Sequence, residues 1–238
     1  MIEKEQELLA LVLDRLAQQF DKHAILKGGM VLRVLGSPRL TNDLDYVFVP
    51  YQSKKDILED VVACLKSIEG ASVHSSLNSK SLRIVLERDG TKIQIEASVA
   101  MEMETSTLST RLFSPRFNLP PRIINVVEYR IALANKMAAW NERRLVRDIY
   151  DIWFFLQMGI LPDPATLEKR LAKPEYSKLV KAKDYFLGKT CEEFYDFLRE
   201  HAANLTDDRI EKELADYLEP DELVGLSAFF RAALAKLR

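Results

Sequence analysis

The chain of 238 residues has two cysteines, three histidines, eight glycines and no apolar run near the roughly 18 residues that a membrane span requires. Cys64 and Cys191 stand alone, without C-x-x-C or Cys/His spacing. A disulfide framework and a zinc site are therefore not indicated, and both are expected as packed, reduced thiols. His23, His74 and His201 are scattered, which leaves histidine-based zinc or nucleophile chemistry little to build on. The first residues, Met1-Ile2-Glu3-Lys4-Glu5, are charged and no apolar signal core follows, so a cytoplasmic location is the expectation. Neither sign of charge is in excess: 34 Lys+Arg against 36 Asp+Glu leave −2, which argues against a protein that coats nucleic acid over its whole surface. With 47% apolar and 29% charged residues the composition is that of an ordinary globular chain, long enough for two modest packed regions. No internal repeat or low-complexity segment is present.

Charge is nevertheless uneven along the chain. Residues 111–147 hold eight Lys/Arg and two Asp/Glu, whereas residues 190–222 hold three Lys/Arg and twelve Asp/Glu. The first stretch could face a polyanion such as RNA or a triphosphate, and the second could repel it or meet a basic partner; solvated helix faces are the more common explanation for each.

The strongest local signal is Leu26-Lys27-Gly28-Gly29 followed by Arg39-Leu40-Thr41-Asn42-Asp43-Leu44-Asp45. Two glycines allow a tight turn that presents bare backbone N–H groups at the start of a helix, where anions are favoured. Asp43 and Asp45 are two apart on an extended segment, so both carboxylates point to one face and Leu44 to the other. Mg²⁺ favours a few carboxylates together with phosphate oxygens, and a D-x-D pair beside a phosphate-binding turn meets that preference. The competing reading is a surface turn with two solvated aspartates.

Periodicity supplies the frame. Leu9, Leu13, Leu16 and Phe20 recur at helical spacing, residues 23–26 read as a strand entering the Gly-Gly turn, and residues 30–35 as a brief helix closed by Gly36 and Pro38. A strand over 44–49, a helix over 53–68 and a hairpin of strands 82–86 and 92–99 about Arg88-Asp89-Gly90-Thr91 follow. The second hairpin strand alternates, with Lys92, Gln94, Glu96 and Ser98 on its polar face. If it pairs with the strand bearing Asp43 and Asp45, Glu96 becomes a third carboxylate for the same metal; otherwise it is a solvated glutamate. Residues 101–122, rich in Ser/Thr and ending in prolines, read as a connection between regions spanning 1–122 and 123–238. The rest is expected to be helical: Asn125 with Glu128 as a capping box for a helix through about Arg143, another over 145–156, one capped by Thr190 and Glu193, and a last over 221–237.

A second cluster lies in that helical part. Lys136 is followed by Arg143-Arg144-Leu145-Val146-Arg147-Asp148-Ile149-Tyr150-Asp151. On one continuous helix Arg144, Asp148 and Asp151 share a face, and Arg144–Asp148 and Arg147–Asp151 would be i,i+4 pairs worth about 0.2–0.5 kcal/mol each.

Taken together, Lys27-Gly28-Gly29, Arg39-x-Thr41-x-Asp43-x-Asp45 and Lys136 with Arg147-Asp148-x-Tyr150-Asp151 resemble the AbiEii/AbiGii family of toxin nucleotidyltransferases, within the DNA polymerase β-like nucleotidyltransferase superfamily. The resemblance implies an α+β fold, a mixed sheet with flanking helices followed by a helical C-terminal domain that completes the nucleotide site. It implies that Gly28 and Gly29 contact phosphates, with Lys27, Arg39, Thr41 and Arg147 around the nucleotide. Asp43 and Asp45 would bind Mg²⁺, Lys136 would neutralise the triphosphate, and Asp148 or Asp151 would be a further essential acid. Glu96 falls where the superfamily can place a third metal carboxylate, and could also accept the proton of the attacking hydroxyl. Where the superfamily often has Gly-Ser, this chain has Gly28-Gly29. The implied activity is transfer of NMP from an NTP to an acceptor hydroxyl, on RNA such as a tRNA 3′ end or on a protein, by the toxin of a toxin–antitoxin pair whose antitoxin is a separate chain. Two rivals remain: a nucleotidyltransferase that modifies a cationic antibiotic, with the 190–222 acids as its pocket, and a non-catalytic NTP-binding module.

Overall fold

Apolar residues that recur with the period of a helix, next to segments that recur with the period of a strand, decide what is buried where. A computed structural model describes residues 2–173, 185–188 and 190–237. The chain folds as two compact units, Met1–Glu128 and Tyr129–Arg238.

The first unit is built on helix α1 (Ile2–Phe20) and a seven-stranded mixed sheet. Its strands are β1 (Ala24–Lys27), β2 (Asp43–Phe48), β3 (Ser72–Leu77), β4 (Leu82–Arg88), β5 (Thr91–Val99), β6 (Thr105–Ser109) and β7 (Ile123–Val127), in the order β3-β4-β5-β2-β1-β7-β6. Helix α2 (Gly29–Val34) follows β1, and α3 (Lys55–Lys66) follows β2. Leu44, Tyr46 and Phe48 alternate onto one face of β2, and in register with them stand Ile95 and Ala97 of β5 and Ile84 and Leu82 of β4. All of these are buried. Phe20 of α1 meets Phe48 edge to face at 5.0 Å, so α1 covers this apolar face, and each large side chain removed from water there contributes about 1.5–3 kcal/mol. Asp43 and Asp45 necessarily stand on the opposite face.

The connection expected over 101–122 holds strand β6 and two 3₁₀ turns, and β7 occupies the place expected for a helix cap. β7 pairs parallel with β1, Ile25 opposite Asn125. Ile124 and Val126 are buried on one face and Val127 at its end, while Ile123 is exposed, and the strand lies inside the sheet between β1 and β6. The unit boundary therefore falls after Glu128 rather than after residue 122.

The second unit is helical in its described residues: α4 (Tyr129–Arg143), α5 (Val146–Gln157), α6 (Pro164–Ala172), α7 (Cys191–Ala203), α8 (Asp207–Leu214), α9 (Pro220–Leu223) and α10 (Leu226–Leu234). Thr190 and Glu193 form the expected capping box of α7. The helix expected over 221–237 is divided at Gly225, which is left-handed at φ +74° and separates α9 from α10. No helix among the described residues is long and apolar enough to cross a membrane.

Candidate active site

Three neighbouring segments of the first unit place the first cluster. β1 delivers the chain to Gly28, whose backbone (φ +77°, ψ −157°) lies in a region that only glycine occupies without strain. Directly across the β1–β2 ladder Lys27 pairs with Asp45. A Cβ on Gly28 would stand 2.3 Å from Asp45 Oδ2, so the carboxylate rests on bare glycine backbone. β5 runs parallel to β2 on its other side, with Asp45 beside Glu96 and Asp43 beside Gln94. The strand pairing on which the role of Glu96 depends is thus present.

Hydrogen bonds fix these acids from outside. Thr41, itself buried, donates its hydroxyl to Asp43 Oδ1 at 2.8 Å. Gln94 donates its amide to Glu96 Oε1 at 2.8 Å and accepts from Arg83. Among the described residues no three acidic, histidine or cysteine side chains converge into a ready-made metal cage. Glu96 is the register neighbour of Asp45, while the expected convergence of three carboxylates on one cation is not seen among these residues. Two carboxylates on one face beside an open glycine backbone remain a donor set suited to Mg²⁺, which keeps waters and takes phosphate oxygens in preference to an all-protein cage.

Arg39 and Thr41 explain the second glycine. A Cβ at Gly29 would meet Arg39 Nη2 at 2.9 Å and Thr41 Oγ1 at 3.0 Å. The place that a serine side chain would need in a Gly-Ser turn is filled here by this buried pair. A residue that sequence reasoning missed completes the arrangement: Gln6 of α1, 5% exposed, donates its amide to the Thr41 carbonyl at 2.7 Å. No local pattern marks it, because its partner lies 35 positions away.

The second cluster lies wholly in the helical unit, and its pairings differ from the expected ones. Lys136 Nζ pairs with Asp151 Oδ2 at 2.6 Å, and Asp151 is completely buried. Arg143 grips Asp148 through two bonds, Nε to Oδ2 at 3.1 Å and Nη2 to Oδ1 at 2.5 Å. The helix breaks between α4 and α5, with Arg144 left-handed at φ +56°, so the anticipated Arg144–Asp148 pair gives way to Arg143–Asp148; Arg147 and Asp151 do share α5, but Asp151 is taken by Lys136 of α4. Arg144 thereby leaves the face it would share with the two acids on a continuous helix. Arg147 instead donates to the Tyr217 hydroxyl at 3.3 Å, and the first N–H of α5 is capped by Glu213 Oε2 at 3.1 Å. Of the basic stretch, Lys136, Arg143 and also Arg122, which binds Asp14, are engaged with carboxylates in their own units.

A Gly-Gly turn abutting a D-x-D strand in a mixed sheet, with a helical unit after it, defines a nucleotidyltransferase-type chain. It matches the family described as "Nucleotidyl transferase AbiEii toxin, Type IV TA system" over residues 11–233, and belongs to that family. It is therefore a nucleotidyltransferase of a toxin family, with an antitoxin as the other half of the system. Among solved structures it is similar to MenT4, a nucleotidyltransferase toxin from Mycobacterium tuberculosis H37Rv, at 20% identity and TM-score 0.63 over 98% of this chain and 85% of that one. It is also similar to JHP933 from Helicobacter pylori, at 13% identity and TM-score 0.54 over 97% and 88% of the two chains. These likenesses speak for the fold. No curated protein matches the chain.

Proposed function

We propose that this toxin transfers NMP from an NTP to a hydroxyl of an RNA acceptor, such as a tRNA 3′ end, in a reaction that requires Mg²⁺, with the antitoxin supplied by a separate chain. The observation that supports this reading is the seating of the Asp45 carboxylate against the bare backbone of Gly28, the juxtaposition that a cation shared with a phosphate would need.

Asp43 and Asp45 would hold the cation, with Asp43 fixed by Thr41 and Asp45 by the β-ladder. The bound cation would screen the phosphate charge and stabilise the attacking and leaving oxygens. Gly28 and Gly29 offer backbone to the phosphates, while Lys27, Arg39 and Thr41 shape the turn around them. Glu96, beside Asp45 in register, takes the proton of the acceptor hydroxyl as that oxygen bonds to the α-phosphorus and pyrophosphate departs with the bond electrons. Positioning and charge neutralisation do most of the work in such a transfer.

In the helical unit, Lys136 neutralises the triphosphate and buried Asp151 aims its ammonium. Asp148, enclosed by Arg143, maintains the start of α5 instead, and Arg147 is steadied by Tyr217 for a contact with the nucleotide. Asp151 is thus the essential acid of the two.

The test is to incubate the protein with each α-labelled NTP, Mg²⁺ and total cell RNA or lysate. Label in RNA, lost with Asp43→Ala and with Asp45→Ala, is expected. Transfer retained by both variants overturns the mechanism, label only in protein or in an aminoglycoside overturns the acceptor, and NTP binding without pyrophosphate release from any acceptor reduces the chain to a binding module.

A further inference from the structure

Arg144 has been moved out of the nucleotide cluster, and its new surroundings form a site of their own. The end of α4, the start of α5, the end of α7 and the start of α8 enclose a cavity of about 110 Å³, lined by Trp140, Arg144, Val146, Ile149, His201 and Arg209 among others. Two guanidinium groups, an imidazole and an indole thus surround a space with an aliphatic side. The acid Glu213 is turned onto Arg209 Nε at 3.0 Å and the Val146 N–H at 3.1 Å.

Arg144 is held here against its backbone preference. A long side chain disfavours φ +56°, and such outliers persist where surrounding contacts impose them, often at ligand clamps. Those contacts are visible: its guanidinium lies 4.4 Å from the Trp140 ring centroid and 5.0 Å from that of Phe197, and donates to the Trp140 carbonyl at 3.1 Å and Asn141 Oδ1 at 3.0 Å. The result is a preorganised, planar cation on an aromatic wall, so less conformational freedom is lost when an anion arrives.

The cavity is well below the roughly 300 Å³ at which pockets for whole small molecules begin, and it admits one group rather than an entire nucleotide. Arginines on an aromatic wall with histidine beside them are the furniture of single-stranded nucleic-acid sites, where guanidinium forks take phosphodiesters. We propose that this cavity is a phosphate subsite that holds one backbone phosphate of a single-stranded segment of the acceptor. The proposal rests on the reading of RNA as acceptor and gives that acceptor a foothold in the helical unit outside the Lys136–Asp151 pair.

The full chain is titrated against a short fluorescein-labelled single-stranded RNA by anisotropy, over a range of salt and without NTP. Arg209→Gln, at a side chain 53% exposed, and Arg144→Asn, since asparagine tolerates the left-handed backbone, are the variants. RNA affinity is expected to fall about tenfold for the pair, and the slope of log K against log salt to shrink by about 0.7 for the lost phosphate. A structural role alone would leave that slope unchanged, and NTP affinity is expected to stay at the wild-type value. Unchanged RNA affinity and slope in both variants overturn the subsite while leaving the RNA acceptor standing. Wild-type protein that binds no RNA overturns the acceptor reading itself. Inorganic phosphate or pyrophosphate bound with variant-sensitive affinity, alongside variant-insensitive RNA binding, assigns the cavity to a free anion and overturns the proposal.

Discussion

Gly28→Ala is the sharpest perturbation of the proposed site, because one methyl group opposes both the backbone and the chemistry. At φ +77° and ψ −157° an alanine pays a conformational cost of about 1–3 kcal/mol, which for a unit of this size corresponds to a fall of roughly 4–12 °C in the unfolding midpoint. The new Cβ would also stand 2.3 Å from Asp45 Oδ2, against 3.4 Å for ordinary contact, so the carboxylate must retreat by about 1.1 Å. A misplacement of about 1 Å in a reacting constellation costs on the order of 10²-fold in rate, equivalent to about 2.7 kcal/mol of barrier. Transfer of label from α-labelled NTP is therefore expected to drop about 100-fold in the variant at a temperature where circular dichroism shows it folded. Gly29→Ala is the control. Its Cβ meets the end of the Arg39 side chain at 2.9 Å and Thr41 Oγ1 at 3.0 Å, a milder overlap than the 2.3 Å at Gly28, and its backbone is not in the positive-φ region, so a smaller loss is expected. Gly28→Ala with more than a third of wild-type activity, or a Gly29→Ala loss as large as that of Gly28→Ala, would refute the idea that Gly28 matters by bearing Asp45.

Other outcomes separate chemistry from scaffolding. Asp151→Asn should abolish transfer, whereas Asp148→Asn should cost stability with most of kcat retained in chemical-denaturation and labelling assays; the opposite ranking would make Asp148 the essential acid. Lys136→Met should destabilise the fold by about 2–3 kcal/mol, below the value for fully desolvated pairs because Lys136 keeps some solvent access, and a double-mutant cycle with Asp151→Asn should show non-additivity above about 0.5 kcal/mol. Gln6→Met keeps the bulk and removes the bond to Thr41, so the Mg²⁺ concentration for half-maximal transfer should rise several-fold with little change in the KM for NTP; an unaltered Mg²⁺ requirement would deny Gln6 a positioning role. Asp163 caps α6 by accepting from the Thr166 N–H at 2.8 Å, and its bonds to Thr166 hold its carboxyl below the usual pKa of 3.8. A lowered folded-state pKa means stabilisation that is present above pH 3.8 and lost as pH falls through the folded value. The gap in unfolding midpoint between wild type and Asp163→Ala should therefore be open at pH 7 and close on acidification below 3.8; a gap that widens in acid would contradict the cap.

Strand periodicity alone made the candidate catalytic face legible. Asp43 and Asp45 had to share a face because Leu44, Tyr46 and Phe48 take the other, and the alternation in β5 put Glu96 on the matching side. β7 was hidden for a physical reason: Ile123 is apolar yet exposed, so the residue types do not alternate where the burial does, and Asn125 with Glu128 imitates a helix cap. β3, exposed along most of its length, carries no burial pattern to read. The helical cluster went astray because spacing puts Arg144 and Asp148 on one helix face although the helices expected through about Arg143 and over 145–156 already part there; Arg144 is left-handed and Asp148 is held by Arg143, while Asp151 is drawn to Lys136 across from α4. Contacts spanning long separations, Gln6 with Thr41, Arg122 with Asp14 and Glu213 with Val146, leave no trace in local pattern at all. Side chains that touch the substrate are chosen for their chemistry and appear as motifs, whereas those that hold them in place need only reach, and many positions can supply reach. Motif reading will therefore find the aspartates of such a candidate site and miss the glutamine that ties down Thr41 beside them.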